Sequence, residues 1–135
     1  MNTELSLPRT VVNQMLAHAQ QNPDQEICGL ISQAADQSTR YLRIDNRATD
    51  KLHHYEMDEK QLIDSLRQLR ERGEKLLAIV HSHPDSAAIA SRLDIEQAQY
   101  PDAYYLIISL NTRGVLEMRA YKISDGAASE VKVTI

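Results

Sequence analysis

Two histidines one residue apart, in His81-Ser82-His83-Pro84, are the side chains of this sequence best suited to chemistry. They come just past Leu76–Val80, five apolar residues in a row that read as a strand buried on both faces. Side chains two apart on an extended chain point to the same side, so both imidazoles can face one point in space. Eleven residues after His83 comes Asp94, three beyond Ser91, which reads as the N-cap of a short helix running to about Gln99. Two neutral imidazoles and one carboxylate suit Zn²⁺, at about 2.0–2.2 Å per ligand, with a fourth position left for water. An ion held in this way lowers the pKa of water toward about 7 and makes hydroxide available at neutral pH. The same donors also suit Fe(II). A cupin-like iron site, however, wants a further His downstream, and none follows His83.

Hydrolysis at such an ion needs a proton shuttle. Glu26, at the mouth of a strand expected over Ile27–Ser32, is the candidate, because a carboxylate beside the attacking water can take its proton and pass it to the leaving amine. The Ser91 hydroxyl is the candidate for steadying a developing oxyanion. Plainer roles stand beside these. Asp94 in a first helical turn complements the helix dipole, Ser91 caps the helix, and Glu26 taken alone is a surface carboxylate. Capping and chemistry do not conflict, since a cap holds both side chains where a metal would need them. Cys28 reads as a small buried strand residue rather than a nucleophile, with no adjacent basic group to lower its pKa. His53 and His54 are neighbours and would point to opposite faces of a strand. They read as loop or edge residues near a substrate groove.

The elements that must position these groups can be traced along the chain. Pro8 fits the first turn of a helix to about Gln21, with Val11, Val12, Met15, Leu16 and Ala19 on one face and Pro23 ending it. Strands are expected over Ile27–Ser32 and Tyr41–Asp45. Asp58, with Gln61 three residues on, resembles a capping box. It opens a helix carrying Leu62, Ile63, Leu66 and Leu69 inward, which Gly73 closes. The Arg67–Arg72 region reads as the solvated face of that helix. After the Ser91 helix, stopped by Pro101, Tyr104–Ser109 is a second buried strand. Turns at Asn111–Gly114 and Ser124–Gly126 lead into strands Val115–Ile123 and Val131–Ile135. The pattern predicts an α/β or α+β fold, a mixed sheet flanked by helices.

Composition narrows the rest. The 135 residues suit one compact domain spanning 1–135. With 42% hydrophobic residues a core is expected, and the absence of Phe and Trp leaves it to Leu, Ile, Val, Met, Ala and some of the six Tyr. A net charge of -4 and no Lys/Arg cluster argue against a nucleic-acid partner. No stretch reaches the roughly 20 apolar residues of a membrane span. The start lacks a secretory pattern, and the single cysteine excludes an internal disulfide, so a cytoplasmic setting is expected. A homodimer is compatible with all of this.

Glu26 within E-I-C-G-L, then H-S-H-P, six residues, and S-R-L-D together resemble the full pattern of the JAMM (MPN+) metallopeptidases: a distant Glu, H-x-H-P and S-x-x-D at the family's spacing. The likeness extends to the opening helix, the helix before the His pair, and the tail segments P-D-A-Y-Y-L-I-I-S and Y-K-I-S-D-G. It implies the JAMM/MPN core, a cytidine-deaminase-like arrangement with a curved mixed sheet. It also implies one Zn²⁺ on His81, His83 and Asp94, Glu26 as general acid/base, and Ser91 at the oxyanion. Compact size and tail resemble the bacterial branch acting on small ubiquitin-like sulfur-carrier proteins, whose best-known type releases cysteine from the carrier's C-terminal Gly-Gly end. Such a tail is expected to dock by adding a strand to an exposed edge. Two alternatives accompany this reading: a general isopeptidase for ubiquitin-like modifiers, and a non-catalytic MPN scaffold, although scaffolds typically lack the metal residues. The chain departs from the family by carrying D-S-A-A-I-A between Pro84 and Ser91, without the Pro or aromatic often found there. It also lacks the long insertions of eukaryotic deubiquitinases.

Overall fold

The computed structural model describes residues 4–111 and 117–135. In chain order the elements are β1 (Glu4–Ser6), α1 (Arg9–Gln21), β2 (Cys28–Gln33), β3 (Thr39–Ile44) and α2 (Glu59–Glu71). They continue with β4 (Lys75–His83), α3 (Arg92–Glu96), β5 (Tyr104–Ser109), β6 (Glu117–Ser124) and β7 (Ala127–Thr134). The strands form one mixed sheet in the order β1-β7-β6-β5-β4-β2-β3, parallel at β1/β7 and β4/β5 and antiparallel elsewhere. The fold is α+β, as the residue pattern predicts.

Strand alternation divides the core in two. Ala78 and Val80 of β4, with Ile27, Ile31, Leu106 and Ile108, pack under the apolar face of α1 (Val11, Val12, Met15, Ala19). Ile79, with Cys28, Leu30, Tyr105 and Ile107, faces the other way, toward Leu62 and Leu66 of α2 and Ile95 of α3. By the same period of two, His81 and His83 lie on the α2/α3 face and Ser82 on the α1 face. The structure extends β4 through His83, so the histidine pair lies on the strand itself rather than just past it.

Other differences have local causes. Pro8 is the N-cap of α1, its carbonyl accepting from the Val11 and Val12 N–H groups at 3.1 and 3.2 Å. Of the residues expected to line the inner face of α2, Ile63 is turned out and 48% exposed. The capping box expected there is half made. Asp58 accepts from the Gln61 N–H, but the Gln61 amide binds Asp45 instead, through its N–H and its carboxylate. Helix α3 ends at Glu96 rather than near Gln99, because the Tyr105 hydroxyl accepts the N–H groups of Gln99 and Tyr100, each at 3.0 Å. The N-terminal strand β1 was not expected. Three residues carry no readable period, and β1 exists only by pairing with β7 from the far end of the chain. Asp125 and Gly126, both at positive φ (53° and 74°), make the two-residue turn of the β6–β7 hairpin, which fits a type I′ turn. Residues 112–116, on which the other expected turn and the start of β6 fall, lie outside the described residues. No helix among the described residues is long and apolar enough to cross a membrane.

Gly29 shows how tightly β2 is packed. A Cβ there would meet the Leu42 carbonyl oxygen and the Tyr41 ring, both at 2.6 Å. The missing side chain lets Tyr41 cross the strand and hydrogen-bond its hydroxyl with His18 Nδ1 at 2.7 Å. Burial, assisted by Arg43, pulls the His18 pKa down to about 4, which keeps the ring neutral. Gly29→Ala is expected to destabilise the protein by about 1–3 kcal/mol, the usual overpacking cost. A urea titration checks this, and an unchanged midpoint would contradict it.

Candidate metal centre

Pairing register explains how distant residues meet. Cys28 of β2 lies opposite His81 of β4 in an antiparallel ladder. Carried on by two residues, the same register sets Glu26 opposite His83, on the same face. From the other side α3 supplies Asp94. Ser91 and Asp94 make a reciprocal capping box: the Asp94 N–H donates to Ser91 Oγ at 3.0 Å, and the Ser91 N–H donates to Asp94 Oδ2 at 2.9 Å. Asp94 at the third helical position therefore completes a cap in the manner usual for Glu, and this fixes its carboxylate toward the histidines.

The structure brings His81, His83, Asp94 and Glu26 together, with one ligand atom from each inside a 4.8 Å cluster. The His81 and His83 Nε2 atoms are 3.2 Å apart, and Asp94 Oδ2 lies 3.3 and 3.1 Å from them. A tetrahedral ion with ligands at about 2.0–2.1 Å needs donor–donor edges of about 3.3 Å. The triangle matches that spacing. Its chemistry points the same way. His83 Nδ1 lies 2.8 Å from the Ala87 carbonyl, which can only accept, so Nδ1 carries a proton whether the ring is charged or neutral, and loss of the second proton leaves an Nε2 lone pair facing Asp94. Two imidazole nitrogens and a carboxylate oxygen this close require positive charge among them, a proton or a cation. The donor set fits zinc.

Electrostatics around the triangle are consistent with this. Burial opposes charge on Asp94, but hydrogen bonds from His81 and His83 outweigh it and hold the carboxyl well below the usual range. Burial lowers the His81 pKa. For His83, burial also acts downward, and the contacts with Asp94 and Ala87 overcome it, giving a net rise. Glu26 is 5% exposed, its Oε1 buried without a partner. Burial first, and the Asp94 charge after it, push its pKa up to about 8 against an opposing pull from His83.

Ser91 is exposed at the head of α3, and because its Oγ accepts from Asp94 its O–H remains available as a donor. Cys28 is fully buried, donates to the Ile44 carbonyl, and has its thiol pKa pushed up to about 12 by burial, the opposite of a nucleophile's. His53 lies on an exposed loop between Asp50 (3.0 Å) and Asp85 (3.3 Å). His54 lines a cleft of about 540 Å³ with Tyr55, Met57, Leu62, Tyr100 and Tyr105. The Asp85–Ala90 loop is tied down from three strands, through His83 to Ala87, Ser109 to Ser86 and Tyr121 to Ala88.

Three neighbours of the cluster are not evident from sequence. Tyr55 stacks on the His81 ring with centroids 4.5 Å apart. Ser82 and Asn46 bind the backbone around Glu26. Only Ser82 carried a signal, as the oppositely facing residue of H-S-H.

Comparison with known proteins gives the family. The family described as prokaryotic homologs of the JAB domain matches residues 8–124. The CysO-cysteine peptidase of Mycobacterium tuberculosis is 32% identical over 127 residues, covering 93% of this chain and 86% of the relative. The desampylase of Haloferax volcanii is 27% identical over 140 residues, covering 99% and 98%. A Desulfitobacterium hafniense protein solved in solution superposes with a TM-score of 0.82 at 27% identity, covering 95% of this chain and 90% of that one. The fold, the matched domain and the level of identity together make the chain a member of the JAMM/MPN+ family, in its prokaryotic JAB branch.

Proposed function

We propose that this chain is a zinc-dependent peptidase that hydrolyses the amide bond at the C-terminal end of a small ubiquitin-like sulfur-carrier protein, releasing cysteine or a short extension. The observation that carries the reading is the 3.1–3.3 Å triangle of His81, His83 and Asp94 with the Glu26 carboxyl beside it. The substrate class is supported by the relatives, one named for a CysO-cysteine adduct and another for desampylation. A cytoplasmic site of action fits the lone reduced cysteine.

His81, His83 and Asp94 would hold the zinc, which supplies Lewis acidity for the scissile carbonyl and acidifies water at neutral pH. Glu26 takes the proton from the attacking water and returns it to the departing amine. A carboxyl poised near neutrality by burial can do both, and positive charge in the cluster biases it toward the basic form for the first step. Ser91 donates its hydroxyl to the developing oxyanion. The cleft along Tyr55, Met57 and Tyr100 lies on the same sheet face as the cluster and offers an extended tail a path to it.

Two probes test the assignment: a ubiquitin-like sulfur carrier bearing one cysteine after its Gly-Gly end, and the same carrier joined to a lysine side chain. The expected result is faster cleavage of the cysteine adduct, lost on chelation and restored by zinc. Preference for the lysine conjugate would favour the desampylase-like alternative. Inertness toward both with zinc bound would leave only a scaffold.

A further inference from the structure

Glu26 has to present a carboxyl to the cluster without help from its own side chain, since Oε1 has no partner and the residue lies outside β2. Its orientation must come from the main chain. There every polar group from the Gln25 carbonyl to the Ile27 amide is taken. The Glu26 N–H donates to the Lys51 carbonyl at 2.6 Å and the Glu26 carbonyl accepts from Asn46 Nδ2 at 2.9 Å. The Ile27 N–H donates to Ser82 Oγ at 2.9 Å, and that hydroxyl donates onward to the Gln25 carbonyl at 3.5 Å.

Asn46 does more than grip one carbonyl. It is 7% exposed and uses its full hydrogen-bonding capacity, donating to Glu26 and His54 and accepting from the Ala48 and Glu56 N–H groups at 2.9 and 3.0 Å. It stands at the neck of the segment from Asn46 to Met57, whose ends pair in an isolated bridge. It therefore also sets the loop that presents the Lys51 carbonyl. Ser82 works from the other side. It points away from the histidines that flank it, so the strand holding two metal ligands also holds the peptide of the base.

We propose that Asn46 and Ser82 are positioning residues that fix the Glu26 main chain, one from the loop and one from β4, so that the carboxyl reaches the cluster. This rests on Glu26 being the general acid/base.

The test uses Asn46→Ala and Ser82→Ala in the full chain, with Glu26→Gln as reference. Amide hydrogen exchange in the metal-free protein is read at Glu26 and Ile27, and steady-state kinetics on the carrier–cysteine adduct and bound zinc are read in the loaded protein. Both variants are expected to exchange faster at these two amides by tenfold or more. They should keep one zinc and KM within about twofold, and lose on the order of 10–100-fold in kcat, the scale of a displaced catalytic group. Because the loop also carries Tyr55 against His81, Ser82→Ala separates the clamp from that stacking, and it decides the matter if Asn46→Ala does not fold. Loosened amides with kcat within twofold of wild type would overturn the inference, as would zinc loss accounting for the whole fall in rate. If Glu26→Gln itself keeps wild-type turnover, the reading of Glu26 falls first and for a different reason.

Discussion

Glu26→Gln is expected to leave a folded chain that still binds one zinc and turns over on the order of 10²–10⁴-fold more slowly, the usual contribution of a general acid/base. The amide keeps the shape of the carboxyl but cannot take a proton. The triangle of His81, His83 and Asp94 closes without Glu26, so zinc stoichiometry should not change. A second effect runs the other way. Burial raises the folded-state pKa of Glu26 to about 8, above its ordinary value of 4.5. Between those values the folded metal-free protein binds more protons than the unfolded chain, so stability falls as pH rises, by at most about 1.4 kcal/mol per pH unit from this group. Gln carries no such penalty. The metal-free variant should therefore match wild type near pH 4 and exceed it increasingly toward pH 8. Urea titrations across that range, beside kcat and zinc content, check both halves. A variant as active as wild type, or a stability difference with the opposite slope, would show that Glu26 is not the buried proton carrier described.

How much of this could be read from the sequence follows from how local each feature is. The buried strands β4 and β5 and the amphipathic helix α1 are written in runs and periods of a few residues, and they emerge with ends within three residues of those expected. Of the four clustered residues, the histidines are legible from alternation on a strand and Asp94 from its place three residues after a cap, whereas Glu26 taken alone reads as a surface carboxylate and is singled out by the resemblance to the full JAMM pattern. Features that depend on contacts made only in the folded chain left no such trace. β1 needs β7, the end of α3 is set by a tyrosine hydroxyl on β5, and Asn46 gains its role only when the 46–57 segment folds over it. Ile63 satisfies the helical period of α2 yet remains 48% exposed.

His83→Ala should remove zinc and turnover together. His83 gives Nε2 to the triangle, and its Nδ1–H anchors the Ala87 carbonyl, so Ala both opens one corner and removes one of the three ties on the loop leading toward Ser91. Of the triangle, His81 Nε2 and Asp94 Oδ2 remain, with the His81 ring held by burial and the Tyr55 stack rather than by a partner on Nδ1. Two ligands and solvent do not make the three-ligand set that open zinc sites use. The thermal signature should separate ligand loss from misfolding. A ligand bound only by the folded state stabilises it by about 2.7 kcal/mol at one hundred times its dissociation constant. Wild type should therefore unfold at a higher temperature in zinc than in chelator, whereas His83→Ala should unfold at the same temperature in both. Ser91→Ala offers the useful contrast. It loses a helix cap, at about 1 kcal/mol, and the proposed oxyanion donor, yet keeps all three ligands and so should keep its zinc-dependent rise. One tight zinc equivalent on His83→Ala, or a zinc response equal to that of wild type, would mean that the ion is held elsewhere and that the triangle is a hydrogen-bonded group of two histidines and an aspartate.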